Sequence, residues 1–389
     1  MSKIKTYIVL LTLLINSCIE PYTPDVDEDL EYLVINGLIT DQEGFHYADV
    51  SWSSSYDDRE FKPVNNCIVK IIDNDSNEFF MENYEYGKYR TWIEEEYLKA
   101  GNKYKLEVIL ENGKKYESAY DELLPCPEID KVYYEIEERR FDDPLLQPIK
   151  GIQIYLETDA TGDYASHYRW SLIETWEYKA QYLIFAFFDG IEIKTGAIDS
   201  LNTCWTTTRV RDIYLYTTFQ KSSKKITALP LNYVSNQTDR LKIKYSLLIN
   251  QYSLSDAAFE YWDQLVKYSE ETGGLYETQP SRVSGNFTCL DNKDEIVLGF
   301  FCASSITTKR YFVEELFNFF SFTIVCEPTI TDQEELWDYL RGVKPENLPV
   351  YLINSTPTSN RAEGPFYLTD QECFDCRLKG GTLSRPDFW

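Results

Sequence analysis

The sequence predicts a mainly β protein: a small N-terminal β-sandwich over residues 31–125, then a larger β-rich domain over residues 126–389 with one or two inserted helices. Three observations predict it. Short runs of alternating apolar and polar residues recur over residues 32–120 at roughly the 8–12 residue spacing of a sandwich. Similar runs resume beyond Leu124-Pro125-Cys126-Pro127, whose prolines donate no backbone hydrogen bonds and so mark the expected boundary. Only two stretches show helical periodicity. At 43% apolar and 15% aromatic, the 389 residues can bury cores despite a net charge of −26.

The first domain's expected strands cover residues 33–38, 48–52, 67–72 and 104–108. In the last, Tyr104, Leu106, Val108 and Leu110 share one face, while Lys105 and Glu107 face water. Asn112-Gly113 suits a type I′ turn, whose two central residues both need positive φ, so residues 116–120 should return as the second arm of a hairpin. Together these make an immunoglobulin-like or transthyretin-like sandwich.

The second domain's strand candidates are 132–136, 152–156, 168–172 and 241–245. A helix over 254–271 is expected from the Ser253/Asp256 capping box and from Ala258, Trp262, Leu265 and Tyr268 on one face beside Tyr261, with Gly273-Gly274 ending it. A shorter helix over 332–341 starts from Thr331, with Glu334 reaching back, and turns Leu336, Trp337 and Leu340 inward.

Residues 1–17 read as a signal peptide, because Lys3 and Lys5 precede an apolar run over 8–15 that is shorter than the ~20 residues a bilayer takes. Ile15-Asn16-Ser17-Cys18 resembles a bacterial lipobox, in which the Cys18 thiol takes a diacylglycerol. Several acyl chains on one residue would anchor the protein without a transmembrane helix. The alternative is an ordinary signal peptide beside an incidental Cys18. Residues 18–30 form an acidic tether with Pro21 and Pro24 that should stay extended. Its carboxylates resemble the surface-export signals of Bacteroidota lipoproteins, a plain solvated linker being the alternative.

Beyond Cys18 stand eight cysteines: Cys67, Cys126, Cys204, Cys289, Cys302, Cys326, Cys373 and Cys376. In an exported chain this even count predicts up to four disulfides, with 105 complete pairings open. Cys289 with Cys302, on the arms of an expected hairpin, and Cys67 with Cys126, at the first domain, are the two pairs with a geometric basis. Cys373-Phe374-Asp375-Cys376 has zinc-ribbon or redox spacing, but no second such pair accompanies it and a turn follows it, so structural disulfides are expected there.

Sixty-four acidic against 38 basic residues argue against nucleic acid as a partner. Catalytic signals are sparse. His46, in an expected turn, and His167, before the 168–172 strand, read as surface or structural residues. The run from Asp73 to Glu78 departs from a calcium loop at its turn glycine and at its final glutamate, so a hairpin loop is the better reading. No cofactor is expected, and a carboxylate-based hydrolase is only a minor alternative. Aromatic residues should mostly fill cores, with Trp170 and Trp262 inward, whereas Tyr56, Tyr86 and Tyr182 beside loops would suit a glycan- or peptide-binding surface.

Several segments together resemble one family. Leu33-Val34-Ile35-Asn36-Gly37-Leu38-Ile39-Thr40-Asp41 looks like its opening strand. Tyr261-Trp262, Gly273-Gly274-Leu275-Tyr276, Gln279-Pro280-Ser281-Arg282-Val283-Ser284-Gly285-Asn286 and Val297-Leu298-Gly299-Phe300-Phe301 follow, and Cys373-Phe374-Asp375-Cys376-Arg377-Leu378-Lys379-Gly380-Gly381 with Pro386-Asp387-Phe388-Trp389 ends the likeness. The chain thus resembles the Bacteroidota lipoproteins of domain of unknown function 4249. The resemblance implies an outer-membrane, surface-facing lipoprotein that assists a TonB-dependent β-barrel transporter in acquiring a nutrient. A free-standing binding module or an envelope assembly factor is the rival reading.

Overall fold

The computed structural model describes residues 31–54, 60–140, 147–198, 200–271, 283–314, 319, 326–354 and 365–389. The expected signal peptide, Cys18, the tether, Tyr56 and the 272–282 segment lie outside the described residues. The described residues are mainly β, as expected.

One continuous sheet, folded into two layers, makes the first body. Its path runs Phe287–Cys289, Lys115–Ser118, Lys103–Ile109, Ile68–Asp73, Glu78–Glu85, Lys88–Ile93, Gly44–Trp52, Leu33–Thr40 and Val297–Leu298. Glu78–Glu85 turns the corner, pairing through residues 78–81 with Ile68–Asp73 and through residues 82–85 with Lys88–Ile93. Alternation decides what is inside: Tyr104, Leu106, Val108 and Leu110 are buried together with Ile35, Val50, Val69 and Ile71.

The expected hairpin forms between Lys103–Ile109 and Lys115–Ser118, but its turn differs. Only Gly113 has positive φ, at 87°. Its N–H donates to the Leu110 carbonyl at 2.8 Å, and Leu110 N–H donates to the Lys114 carbonyl at 3.0 Å. This is a three-residue loop, a type I turn closed by a left-handed glycine, in place of the two-residue I′ loop.

Three strands of this sheet come from beyond residue 125. Phe287–Cys289 extends one end, while Val297–Leu298 and Phe301–Ser304 lie parallel to Leu33–Thr40. The expected division at 125/126 therefore does not bound the sheet. Parallel pairing takes a long crossover, which local alternation does not reveal.

The family-like motifs converge where these strands meet. The Asn286 side chain accepts from Phe301 N–H at 2.9 Å and donates to the Phe301 carbonyl at 2.8 Å, standing in for a neighbouring strand. A Cβ on Gly299, whose φ is +94°, would lie 2.1 Å from the Ile35 carbonyl oxygen, and one on Gly285 would lie 1.9 Å from that of Gly299. Only glycine permits this approach.

Leu124-Pro125-Cys126-Pro127 is packed between the two bodies. Pro125 O accepts from Ala165 N–H at 3.0 Å, and Pro127 O accepts from Gln251 Nε2 at 2.7 Å. Buried Gln251 is the hub, since its Oε1 also accepts from Thr158 Oγ1 at 3.1 Å and Trp170 Nε1 at 3.0 Å.

In the second body, the antiparallel sheet of Lys131–Arg139, Ile149–Asp159 and Lys225–Ser235 faces a sheet ordered Thr203–Arg209, His167–Lys179, Lys244–Leu254 and Ile306–Val313, with Tyr214–Thr217 also on His167–Lys179. Ile154, Leu156, Tyr168, Trp170, Leu172 and Leu247 share the core between them. The strand expected over 241–245 begins only at Lys244, because Asp239–Leu241 forms a 3-10 turn. A smaller sheet of Ile193–Ile198, Ile184–Phe188, Val350–Asn354 and Phe366–Tyr367 packs against the helix Gln333–Arg341.

Both helices form with altered caps. Helix α1, Asp256–Glu271, is capped by Ser255, whose Oγ accepts from Ala258 N–H at 3.1 Å. Ser253 belongs to the preceding strand and donates to Leu124 O at 2.6 Å. Ala258 is buried but Tyr268 faces out. Helix α2, Gln333–Arg341, is capped by Asp332, which accepts from Glu334 and Glu335 N–H. Leu336 and Leu340, four apart, take its narrow inner stripe. Trp337, expected inward, is 37% exposed with its ring edge-on to Phe188.

Candidate functional site

The eight cysteines divide evenly. Cys204–Cys376 and Cys326–Cys373 are disulfides, with Cα separations of 5.7 and 6.0 Å, whereas Cys67, Cys126, Cys289 and Cys302 are free thiols. Neither expected pair is bonded. Cys289 and Cys302 lie on strands with different partners, Lys115–Ser118 and Leu33–Thr40, and are not arms of one hairpin. Cys67 borders the Tyr89 hydroxyl, while Cys126 contacts Gln251 in the junction. Burial pushes the Cys126 thiol up to about 11 and the Cys302 thiol to about 12, so both stay protonated at neutral pH.

The Cys-x-x-Cys motif is thus a double clip, its two sulfurs bonded to different parts of the chain. Between them, Phe374 is buried against Tyr182 and Tyr351. Asp375 accepts from Arg377 N–H at 3.0 Å and from the Arg377 guanidinium at 2.7–3.1 Å. Burial alone would raise the Asp375 carboxyl, but the guanidinium and backbone bonds hold it below the usual carboxylate range. A Cβ on Gly381 would sit 2.7 Å from that of Cys204, which explains the glycine after the clip. Asp375, Arg377, Tyr351 and Gln371, with Tyr339 and Lys344 across from them, line an open cleft of about 890 Å³.

The two histidines are packed inside. His46 lies in the strand Gly44–Trp52, not a turn, because alternation turns it toward the core. Its Nδ1 accepts from Thr40 N–H at 3.3 Å. Burial pulls its pKa down to about 4. His167 opens the strand His167–Lys179, stacks on Phe259 at 4.3 Å and donates from Nε2 to Asp256 at 3.1 Å. Burial lowers its pKa, against the pull of Asp256.

Asp73 ends a hairpin strand, and its carboxylate accepts from Asp75 N–H, Asn77 N–H and Asn77 Nδ2 at 2.7–2.9 Å, so the loop closes on itself. Buried Glu174 is likewise engaged, by Arg240 at 3.0–3.1 Å and Tyr245 at 3.0 Å. Among the described residues, no three His, Cys, Asp or Glu side chains gather as metal ligands.

A surface that the sequence reading missed lies on the first body. Phe45, Tyr47, Tyr84 and Trp92 are 40–53% exposed. Phe45 meets Trp92 edge-on at 5.2 Å, and Tyr47 meets Tyr84 at 5.9 Å. Arg90 lies between the pairs, 4.5 Å from the Phe45 ring centre and 4.9 Å from that of Tyr84. Alternation in 44–52 and 88–93 carried this signal, since it sets Phe45 opposite Trp92 and Tyr47 opposite Arg90 on the outer face. Tyr86 is 76% exposed as expected, whereas Tyr182 is half-buried and donates to Cys326 O at 2.6 Å.

The molecule is therefore a mainly β protein with a junction-braced first body and a disulfide-clipped C-terminal cleft. A family model described as Domain of unknown function (DUF4249) matches residues 19–310, and the chain belongs to this family. The match takes in the converging glycine and asparagine motifs and stops short of the Cys373–Cys376 clip. No curated protein matches the chain.

Proposed function

We propose that this protein is a lipid-anchored envelope protein, held in the outer membrane through Cys18, that binds ligands for a neighbouring TonB-dependent transporter without catalysing their turnover. The observation that carries the anchor is Ile15-Asn16-Ser17-Cys18 directly after the short apolar run, followed by an acidic tether. The accessory role follows from what the family resemblance implies, the matched family model itself being a domain of unknown function. The aromatic face around Arg90 supports ligand contact, since Phe45, Tyr47 and Trp92 offer flat surfaces of the kind sugars stack upon.

The test is replacement of Cys18 by Ser, followed by membrane fractionation and mass spectrometry. The wild-type chain is expected in the membrane fraction with an acylated Cys18, and the variant in the soluble envelope fraction. Equal membrane retention of both would refute the anchor. Mild-detergent purification should recover a stoichiometric β-barrel partner, and its absence favours a free-standing binding module.

A further inference from the structure

The sheet of His167–Lys179, Lys244–Leu254, Ile306–Val313 and Thr203–Arg209 has one face in the core and one facing out. Register assigns the outer face row by row. Arg169, Tyr252 and Ile306 share one row, followed by Ser171, Asn250 and Thr308, then Arg209, Ile173, Leu248 and Arg310. Helix α1 covers the first row through Trp262. Phe388 covers part of the third, 3.4 Å from the Arg310 guanidinium. The middle row lies between these two covers.

This face is anomalous for a chain of net charge −26. Among the described residues, none of its three arginines has a carboxylate partner. Arg169 is clamped between the rings of Tyr252 at 4.7 Å and Trp262 at 4.2 Å, and its buried Nε has no hydrogen-bond partner. Burial, and also the charge of Arg209, pull the Arg169 pKa down. A buried cation without a counter-charge is costly, so such groups are normally paired. Arg310 donates to Ser246 Oγ at 2.9 Å, which leaves its charge uncompensated. The half-buried Ser171 and Asn250 and the exposed Thr308 add side-chain hydroxyl and amide donors to the middle row.

We propose that this row is a binding site for an oxyanion, the carboxylate, phosphate or sulfate group of an acidic small molecule, paired with Arg169 and Arg209 and seated on Ser171, Asn250 and Thr308. Strands stand about 4.8 Å apart and residues rise about 3.4 Å, so Arg209 and Arg310 are roughly 14 Å apart across the sheet, and Arg169 lies a similar distance along it. These are backbone separations; the Arg209 charge is near enough to be felt at Arg169, so one oxyanion over the middle row faces both guanidiniums. A ligand the size of one or two sugar rings reaches the third. The site does not depend on the lipid anchor.

The test is calorimetric titration of the purified chain at low ionic strength with inorganic phosphate, sulfate and glucuronate, using glucose as the neutral control. At least one oxyanion probe should bind saturably and glucose should not. Arg209→Gln, at an exposed position, should weaken that binding at least tenfold, and Arg169→Gln should abolish it. Should Arg169→Gln fail to fold, Arg209→Gln and Thr308→Val carry the test. Absence of saturable binding by all three anions, equal binding of glucose, or unchanged affinity in a folded variant overturns the site.

Discussion

Lowering the pH from 7.5 to 4.5 should remove about 2.5 kcal/mol of stability through His46 alone. The side chain is 3% exposed, and its Nδ1 accepts from Thr40 N–H while Nε2 has no partner. Protonation would turn that acceptor into a donor facing another donor, inside a core where the cost of burying the charge outweighs a bond to the Gln42 backbone. Burial therefore pulls the pKa from 6.5 to about 4. Between those values the unfolded chain binds the proton and the folded chain does not. Stability is full above the unfolded pKa and is lost as pH falls toward the folded one. At pH 4.5 the unfolded histidine gains two pH units of protonation, about 2.7 kcal/mol at 1.36 per unit, less a few tenths for partial protonation of the folded form. The assay is urea denaturation at both pH values, comparing the wild type with His46→Gln, which keeps an acceptor for Thr40. The wild type should lose about 2.5 kcal/mol more than the variant between the two conditions, while the shift at His167 cancels in the comparison. Equal losses would refute the reasoning.

Non-reducing peptide mapping should join Cys204 to Cys376 and Cys326 to Cys373, with the two buried thiols at Cys289 and Cys302 alkylated only after unfolding. Replacing Cys326 and Cys373 by Ser opens a loop of 47 residues, a cost of about 4 kcal/mol from chain entropy that a denaturant midpoint will register. Gln251→Leu leaves the Trp170 indole and the Thr158 hydroxyl without their buried partner, while the Pro127 carbonyl keeps its bond from Thr307. Thermal or urea unfolding should show at least about 2 kcal/mol lost, and a change under 1 kcal/mol would contradict the hub role.

The strands that alternate cleanly were legible because one side of each meets a core and the other meets water. Residues 104–108, 152–156 and 168–172 all fall inside observed strands for this reason. Phe301–Ser304 is buried at every position and carries no period of two. Its parallel partner lies far away in the chain, so neither its strand identity nor the closure of the first body could be read locally. The same blindness misled the cysteine pairing, because sulfur positions depend on which strands are neighbours. Cys289 and Cys302 stand 13 residues apart yet sit on strands with different partners. The helices were legible from their spacing. Their caps were not, since Ser253 and Ser255, or Thr331 and Asp332, are chemically similar and only tertiary contacts choose between them. The aromatic face and the arginine-bearing face escaped notice because each is assembled across three or more strands, none of which is unusual by itself.

The bond from Phe300 N–H to Asn36 Oδ1 joins positions 264 residues apart. Until that late segment is synthesised, the opening strand has no parallel mate, and the glycine and asparagine contacts that lock it are missing. An amino-terminal fragment ending near residue 125 should accordingly stay loosely collapsed and vulnerable to proteases. A chain that must cross a membrane unfolded would gain from this ordering, because its leading portion cannot mature before nearly four-fifths of the polypeptide has been made.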